Sequence, residues 1–252
     1  MREFLSVKNI KLTYQSQQGE TAAINDISFS IDKGLFASIV GPSGCGKSTL
    51  LSCIAGLTKP TSGKIILDGK EINGVSTQIG YMLQTDNLFP WRSIYKNVLL
   101  GLEIQKKLTE ENISYVNQLL KKYGLWDFRN SYPSALSGGM RQRAALIRTL
   151  AVRPSMLLLD EAFSALDYQT RVTVSRDVYN ILRSENQTMV MVTHDIPEAI
   201  SMSDKIIVLS NRPATVSLIM NTPFPKQRDT MAVRTSAEYA KCYETVWKEM
   251  NL

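Results

Sequence analysis

The apolar residues of the chain gather into short, nearly continuous runs. Four of these runs lie at residues 36–40, 156–159, 189–192 and 206–209. Runs of this length are typical of strands that are buried on both faces of a parallel sheet. The first three end at a glycine or at polar side chains. We therefore expect a mostly parallel sheet whose strand ends carry polar groups.

The N-terminal part has a different pattern. Residues 4–14 and 24–31 are rich in β-forming side chains, and a polar stretch with Gln and Gly lies between them. A further hairpin is predicted at residues 64–70, because an Asp-Gly pair between β-rich residues favours a tight turn. These segments predict an antiparallel sheet on the N-terminal side.

Helical spacing dominates from about residue 93 to residue 151. Thr109 has the chemistry of an N-cap, and Gly124 that of a stop signal. Apolar residues recur between them at helical intervals, at Ile113, Val116, Leu120 and Tyr123. The pattern predicts an inserted helical subdomain at about 93–151.

The C-terminal part combines an irregular stretch with a helix. Three prolines between residues 211 and 235 predict an extended connection. Apolar side chains then share one helical face, at Tyr239, Tyr243, Val246 and Met250. We expect one domain at 1–235, which includes the helical subdomain, and a C-terminal helix at 236–252. This helix is expected to pack on the core, with assistance in dimer contacts as the alternative.

Composition narrows the class of protein. The chain has 252 residues, 29 lysines and arginines against 23 acidic residues, and a net charge of +6. This length can bury a substantial core, and no apolar run approaches the roughly 20 residues of a membrane-spanning helix. No segment resembles a secretory signal. Cys45, Cys53 and Cys242 lack CxxC spacing, which argues against disulfides and a zinc site. We expect a water-soluble globular protein of the reducing cytosol.

The most specific motif directly follows the run at 36–40. It matches the GxxxxGK[ST] phosphate loop with Gly41, Pro42, Ser43, Gly44, Cys45, Gly46, Lys47, Ser48 and Thr49. A strand before the loop and an apolar helix after it are the required context, because backbone N–H groups and the helix N-terminus then surround the phosphates. A glycine-rich turn with a chance lysine does not explain this context. We expect Lys47 to reach the β- and γ-phosphates, Ser48 to bind Mg²⁺ and Cys45 to be inert.

Two adjacent carboxylates end the run at 156–159. Asp160 is expected to complete the Mg²⁺ shell, often through water, and Glu161 to orient or deprotonate the attacking water. Taken alone, the pair is equally consistent with a solvated acidic turn. Together with the phosphate loop it predicts a phosphate-loop NTPase.

The kind of NTPase is indicated by residues 136–143, Leu-Ser-Gly-Gly-Met-Arg-Gln-Arg. Here the sequence resembles the ATP-binding-cassette (ABC) family, whose signature is LSGGQ, with Met140 in place of the glutamine. Ser137 is expected to cap a helix, while Gly138 and Gly139 leave the helix N-terminus open to an anion. The resemblance extends over nearly the whole chain. It implies an α/β P-loop NTPase core with a mostly parallel sheet, an N-terminal antiparallel β subdomain and an inserted helical subdomain.

The resemblance assigns roles to further positions. Tyr14 matches the aromatic residue that stacks on adenine, with a core aromatic as the alternative. Gln84 matches the glutamine that links the catalytic metal and water to the helical subdomain. The loop at 164–167 matches one that passes between two subunits, with Asp167 as its acid. His194, the only histidine, matches the residue that contacts the γ-phosphate, although a lone histidine is more often structural.

In the ABC family two cassettes face each other head to tail, so each ATP lies between the phosphate loop of one and the signature helix of the other. The resemblance therefore implies ATP and Mg²⁺ as cofactors. It also implies a second copy of this chain, or a homologous ATPase subunit, as a partner. Residues 84–91 stand where a membrane subunit docks, with Phe89 and Trp91 as contacts unless they pack beneath a loop.

Within the family, the chain looks most like importers for nitrate, taurine and aliphatic sulfonates, on the stretches 88–91, 140–143 and 209–213. This likeness implies transmembrane permease subunits, indirectly an extracytoplasmic solute-binding protein, and a peripheral location at the cytoplasmic face of the membrane. A soluble ABC ATPase acting on DNA or ribosomes is the main alternative. We expect no nucleic acid, since such proteins usually carry insertions that do not fit in this length. The signature sequence argues against a nucleotide kinase, and the absence of an Asn-Lys-x-Asp motif argues against a GTPase.

Overall fold

A computed structural model of the protein describes residues 3–16, 19–185 and 187–250. The strands are β1 (Glu3–Ser16), β2 (Gly19–Asp32), β3 (Phe36–Val40), β4 (Ser62–Leu67), β5 (Lys70–Glu71), β6 (Ile79–Met82), β7 (Met156–Asp160), β8 (Thr188–Val192), β9 (Lys205–Leu209) and β10 (Val216–Asn221). The helices are α1 (Lys47–Ile54), α2 (Ile94–Ile104), α3 (Glu110–Lys122), α4 (Gly138–Leu150), α5 (Tyr168–Ser184), α6 (Ile196–Met202), α7 (Thr230–Val233) and α8 (Ala237–Met250). Residues 17–18 of the expected polar stretch, and residues 251–252 of the expected C-terminal helix, lie outside the described residues.

The chain divides into two compact units. The first unit combines Met1–Thr77 with Tyr179–Leu252, and the second is Gln78–Val178. The helices expected at about 93–151 belong to the second unit.

The first unit contains the antiparallel sheet that the N-terminal pattern predicts. Its strand order is β2-β1-β4-β5, and β1 pairs with both β2 and β4. The turn between β4 and β5 is Asp68-Gly69, with φ values of +48° and +80°. Both central residues of a type I′ turn need positive φ, which explains the Asp-Gly pair at this position.

The first unit also contains β8, β3 and β9 in parallel register, with β10 antiparallel to β9. Every residue of β3 and β8 is buried, which accounts for their nearly continuous apolar sequences. Because these strands run in one direction, the loop after β3 and the residues after β8 lie at the same end of the sheet. Polar groups of the candidate site follow both strands.

In the second unit, β6 pairs in parallel with β7, and α2, α3 and α4 form the expected helices. The side chains of Ser93, Thr109 and Ser137 accept backbone N–H bonds at the starts of these three helices. Gly124, with φ of +67°, follows the end of α3. With parallel strands, an N-terminal antiparallel sheet and a helical part, the predicted fold class is confirmed.

The C-terminal part differs from the extended connection that its prolines predict. It contains the strand β10, which pairs with β9, and the short helix α7. Helix α8 buries Cys242 and Val246 in a cluster with Ile200 and Val208. Among the described residues, no helix has both the length and the apolar character needed to cross a bilayer.

Candidate functional site

Residues 41–46 form a tight loop between β3 and α1, at the phosphate-loop motif. Gly44 and Gly46 have φ values of +75° and +115°, a region that residues with side chains rarely adopt. A Cβ atom on Gly41 would lie 2.9 Å from the carbonyl oxygen of Leu209, whereas one on Gly44 would meet no described atom within 4 Å. The backbone path and the close approach therefore require these glycines, and the loop is open at Gly44.

Lys47 lies in the first turn of α1 and is only 5% exposed. Its Nζ donates hydrogen bonds to the carbonyl oxygens of Gly41 at 2.8 Å and Pro42 at 2.9 Å. Both acceptors are neutral, so these bonds orient the ammonium group without cancelling its charge. The N-terminus of α1 adds its partial positive charge, and the loop has the chemistry of an anion site.

Cys45 lies inside the same loop and is buried. Burial raises the pKa of its thiol, and the Lys47 charge opposes this shift in part. Because the thiolate is the reactive form, a raised pKa disfavours reaction at this thiol.

Tyr14 of β1 lies beside the helix that follows the loop. Its hydroxyl donates to Oγ1 of Thr49 at 3.3 Å, and the residue is 44% exposed. An aromatic residue of the core would be buried, so this exposure argues against the alternative of a core aromatic residue. Ser48, next to Lys47, is also exposed.

His194 follows β8 and is exposed at the end of the strand. The backbone N–H of Thr193 donates to the carbonyl of Ile39 in β3 at 3.2 Å. The buried hydroxyl of Thr193 donates to Oε2 of Glu198 at 2.7 Å and accepts from the N–H of Asp195 at 3.0 Å. Asp195 in turn caps α6 by accepting from the N–H of Glu198. The backbone on both sides of His194 is therefore fixed.

Asp160 and Glu161 lie at the end of β7 in the second unit. The hydroxyl of Tyr81 donates to Oδ2 of Asp160 at 2.9 Å, and Asp160 is largely buried. Glu161 has φ of +44°, in the left-handed region that few residues other than glycine adopt. Such strain concentrates at functional sites, where a side chain must take a required direction.

Gln84 follows β6, the parallel neighbour of β7. Its Nε2 donates to Oγ of Ser164 at 3.1 Å, and Ser164 donates from Oγ to the carbonyl of Glu161 at 2.9 Å. One side chain therefore connects the predicted metal-linking glutamine to the predicted base. Asp167, three residues further along the chain, accepts from the N–H of Thr170, and hydrogen bonds from the side chain and backbone of Thr170 lower the pKa of the Asp167 carboxyl.

Ser137 caps α4 by accepting from the N–H of Met140 at 3.4 Å, as the sequence predicts. A Cβ on Gly139 would approach Cγ2 of Val174 to 2.9 Å, and one on Gly138 would approach Cδ2 of Leu166 to 3.1 Å. Ser137 is exposed and Gly138 is half-buried. The start of α4 is thus closely packed on one side and offers the Ser137 end to an anion.

Trp91 is 72% exposed and stacks on Phe89, with 5.0 Å between the ring centroids. The loop that carries them is held by Asn97 of α2, a fully buried side chain. Asn97 accepts from the N–H of Phe89 at 2.7 Å and donates to the carbonyls of Phe89, Arg92 and Ser93. Trp91 therefore does not pack beneath the loop, and its ring faces outward from an anchored backbone.

The two units each gather part of the predicted set. The first unit holds Tyr14, the phosphate loop and His194, and the second holds the remainder. The roles of the polar side chains that hold these groups were not predicted from the sequence: Tyr81, Asn97, Thr193 and Glu198. A signal existed for Glu198, which stands three residues after the helix cap Asp195, the spacing of a capping box.

Comparisons with known proteins give one consistent answer. A family model described as ABC transporter matches residues 24–164. An uncharacterized ABC transporter ATP-binding protein of Bacillus subtilis (strain 168), YtlC, is 50% identical over 98% of this chain and 96% of its own length. The aliphatic sulfonates import ATP-binding protein SsuB of Bacillus cereus is 36% identical over 90% of each chain.

A solved structure is similar as well. The fold matches that of the ATP-binding cassette MJ0796, in a dimeric post-hydrolysis state bound to ADP and Pi, with a TM-score of 0.73 and 32% identity. The match covers 86% of this chain and 98% of that chain.

Proposed function

Because the chain belongs to the ABC transporter ATP-binding family and is an ABC-type ATPase, we propose that it drives an importer. Its cargo is nitrate, a sulfonate, taurine or a related small solute. The chain works at the cytoplasmic face of the membrane with separate permease subunits, which receive the solute from an extracytoplasmic binding protein. The observation that carries this proposal is the likeness to SsuB over 90% of both chains. The alternative of an ATPase acting on nucleic acid has no comparable support.

The residues of the phosphate loop fit a triphosphate. The positive-φ glycines, the oriented Lys47 ammonium and the N-terminus of α1 present donors and positive charge to the β- and γ-phosphates. Tyr14 offers its exposed ring to adenine. Ser48, Gln84 and Asp160 provide hydroxyl, amide and carboxylate oxygens, the hard donors that Mg²⁺ prefers. The metal ion supplies charge neutralisation on the phosphates when it is bound.

Hydrolysis is proposed to use residues of two chains. Glu161 orients or deprotonates the attacking water, and His194 contacts the γ-phosphate. A second copy of the chain, or a homologous subunit, presents Ser137, Gly138 and Gly139 at its α4 start to the same ATP. The two ATP molecules then hold the two subunits together, and release of phosphate allows the dimer to reopen.

Thr193→Val is expected to slow turnover, because valine keeps the shape of threonine but removes the hydroxyl that bonds Glu198 and Asp195. We expect kcat to fall by about tenfold with ATP affinity nearly unchanged, since only the γ-phosphate contact of His194 is displaced. The single histidine allows a direct measurement, because its imidazole resonances in an NMR spectrum belong to one residue. Thr193→Ser, which keeps the hydroxyl, should preserve both turnover and resonance positions. Unchanged resonances in Thr193→Val would contradict a positioning role.

The importer assignment is tested by purifying the tagged chain from cells that carry its native membranes and identifying any permease recovered with it. Trp91→Ala is expected to reduce recovery of the chain with the membrane fraction by about tenfold, because exposed aromatic residues at a docking centre dominate binding. Trp247→Ala is the matched control, since Trp247 is also exposed but lies on α8. If the unmodified chain instead bound DNA in a salt-sensitive manner and no permease was recovered with it, the nucleic-acid alternative would be favoured.

A further inference from the structure

Both carboxylate oxygens of Asp86 accept hydrogen bonds from residues of the second unit. Its Oδ1 accepts from the N–H of Leu88 at 3.1 Å, which bends the backbone towards Phe89. Its Oδ2 accepts from Nε of Arg141 on α4 at 3.0 Å. One short side chain thus joins the loop that carries the aromatic pair, Phe89 and Trp91, to the helix that begins at the signature sequence.

Arg141 continues the connection to the start of α4. Its Nη1 donates to the carbonyl of Leu136 at 3.0 Å, and Leu136 directly precedes the cap residue Ser137. The guanidinium group therefore bridges the Asp86 carboxylate and the backbone at which α4 begins. A planar fork with separate donors suits two acceptors at fixed positions, which a lysine cannot match.

Arg148, two turns further along α4, fastens the same loop a second time. Its two terminal nitrogens donate to the carbonyls of Asp86 and Asn87, both at 2.7 Å. Burial lowers the pKa of the Arg148 guanidinium, and the Asp86 charge opposes this shift. The carbonyls hold the loop along α4, while the Asp86 carboxylate connects it through Arg141 to the helix start.

The Asp86–Arg141 pair contributes little to overall stability. The two side chains are 25% and 37% exposed, and ion pairs at such positions are weak because water competes with them. The bond pattern is directional, however, since it ends at the backbone beside Ser137. Its effect should appear in the placement of the helix start rather than in the folding of the unit.

We propose that Asp86 and Arg141 are positioning residues that set the start of α4 according to the state of the loop at 85–91. This inference rests on the proposed function, in which the α4 start of one copy completes the ATP site of another. A permease bound at Trp91 would then influence assembly of the ATP site along a path of four residues: Leu88, Asp86, Arg141 and Leu136. The path lies wholly within the second unit and needs no change in the phosphate loop.

The experiment measures ATP-dependent dimerisation of the full chain in a Glu161→Gln background, by light scattering with MgATP. Adding Asp86→Ala should raise the dimer dissociation constant by about tenfold, because each dimer loses the positioning at two ATP sites. Binding of a fluorescent ATP analogue to the monomer should stay within about twofold, because the phosphate loop is untouched. Asp127→Ala, which removes an exposed acid of the same unit, should leave the dimer as in the parent.

A double-variant comparison separates positioning from a general disturbance. Asp86→Ala and Arg141→Ala act on one path, so the double variant should dimerise about as weakly as the weaker single variant. Asp86→Asn, which keeps acceptor and shape but loses the charge, should lie between parent and alanine variant. The inference is overturned if the two single effects on the dimer dissociation constant multiply in the double variant, or if Asp86→Ala dimerises as tightly as the parent. Either result leaves the proposed function intact. A Glu161→Gln parent that never dimerises with ATP overturns both.

Discussion

Replacing Glu161 with glutamine is expected to stop ATP turnover while ATP still binds and holds two copies together. Glutamine has nearly the same size but cannot accept a proton from the attacking water, so kcat should fall by about a thousandfold. The phosphate loop is formed by other residues, so its contacts with ATP are expected to remain. Phosphate release measures the first effect, and light scattering with MgATP the second. A variant that hydrolysed ATP at the normal rate would exclude Glu161 as the base.

The backbone of Glu161 supplies a second measurement. Its φ of +44° is costly for a residue with a side chain and ordinary for glycine. Glu161→Gly should therefore be as inactive as Glu161→Gln yet raise the free energy of unfolding by about 1 kcal/mol. Glu244→Gln, an exposed carboxylate in the middle of α8, should leave activity unchanged and stability nearly so. A stabilised, inactive glycine variant would show that strain is retained for the chemistry.

Local sequence signals predicted much of the fold because they act through near neighbours. The run at 36–40 and the glycines after it determine a buried strand and a positive-φ loop together. Ser137 caps α4, and Asp68-Gly69 forms a hairpin turn, because both depend on backbone groups within a few residues. In each case the residue type meets a local geometric requirement.

The remaining features depend on residues far apart in the chain. Asp86 meets Arg141 only because the loop after β6 lies along α4, which no pattern around either residue indicates. Strand β10 was missed because its burial alternates only between half-buried and exposed, and the nearby prolines suggested irregular structure. The positive φ of Glu161 has no sequence signal at all, since glycine is the residue that such a conformation ordinarily selects.

Lys47→Ala is expected to remove ATP binding without unfolding the protein. The alanine variant loses a charge-assisted contact to the phosphates in a nearly buried position, so ATP affinity should fall by at least about a hundredfold. Folding responds differently, because an ammonium group that is nearly buried and that donates to neutral carbonyls in the described part of the chain carries a desolvation cost that alanine lacks. We therefore expect unfolding without nucleotide at an equal or higher temperature than in the unmodified chain.

The thermal shift caused by ATP separates these two effects. A ligand that binds only the folded state raises the unfolding temperature, so ATP should stabilise the unmodified chain and leave Lys47→Ala unchanged. Lys205→Ala is the matched control, because Lys205 also donates to a backbone carbonyl, that of Ser30 at 2.8 Å, but follows no phosphate loop. The control should lose stability and keep its ATP response. If Lys47→Ala kept that response as well, Lys47 would have a structural role through its two carbonyl bonds. ATP would then be bound by the helix N-terminus and the loop amides without this lysine.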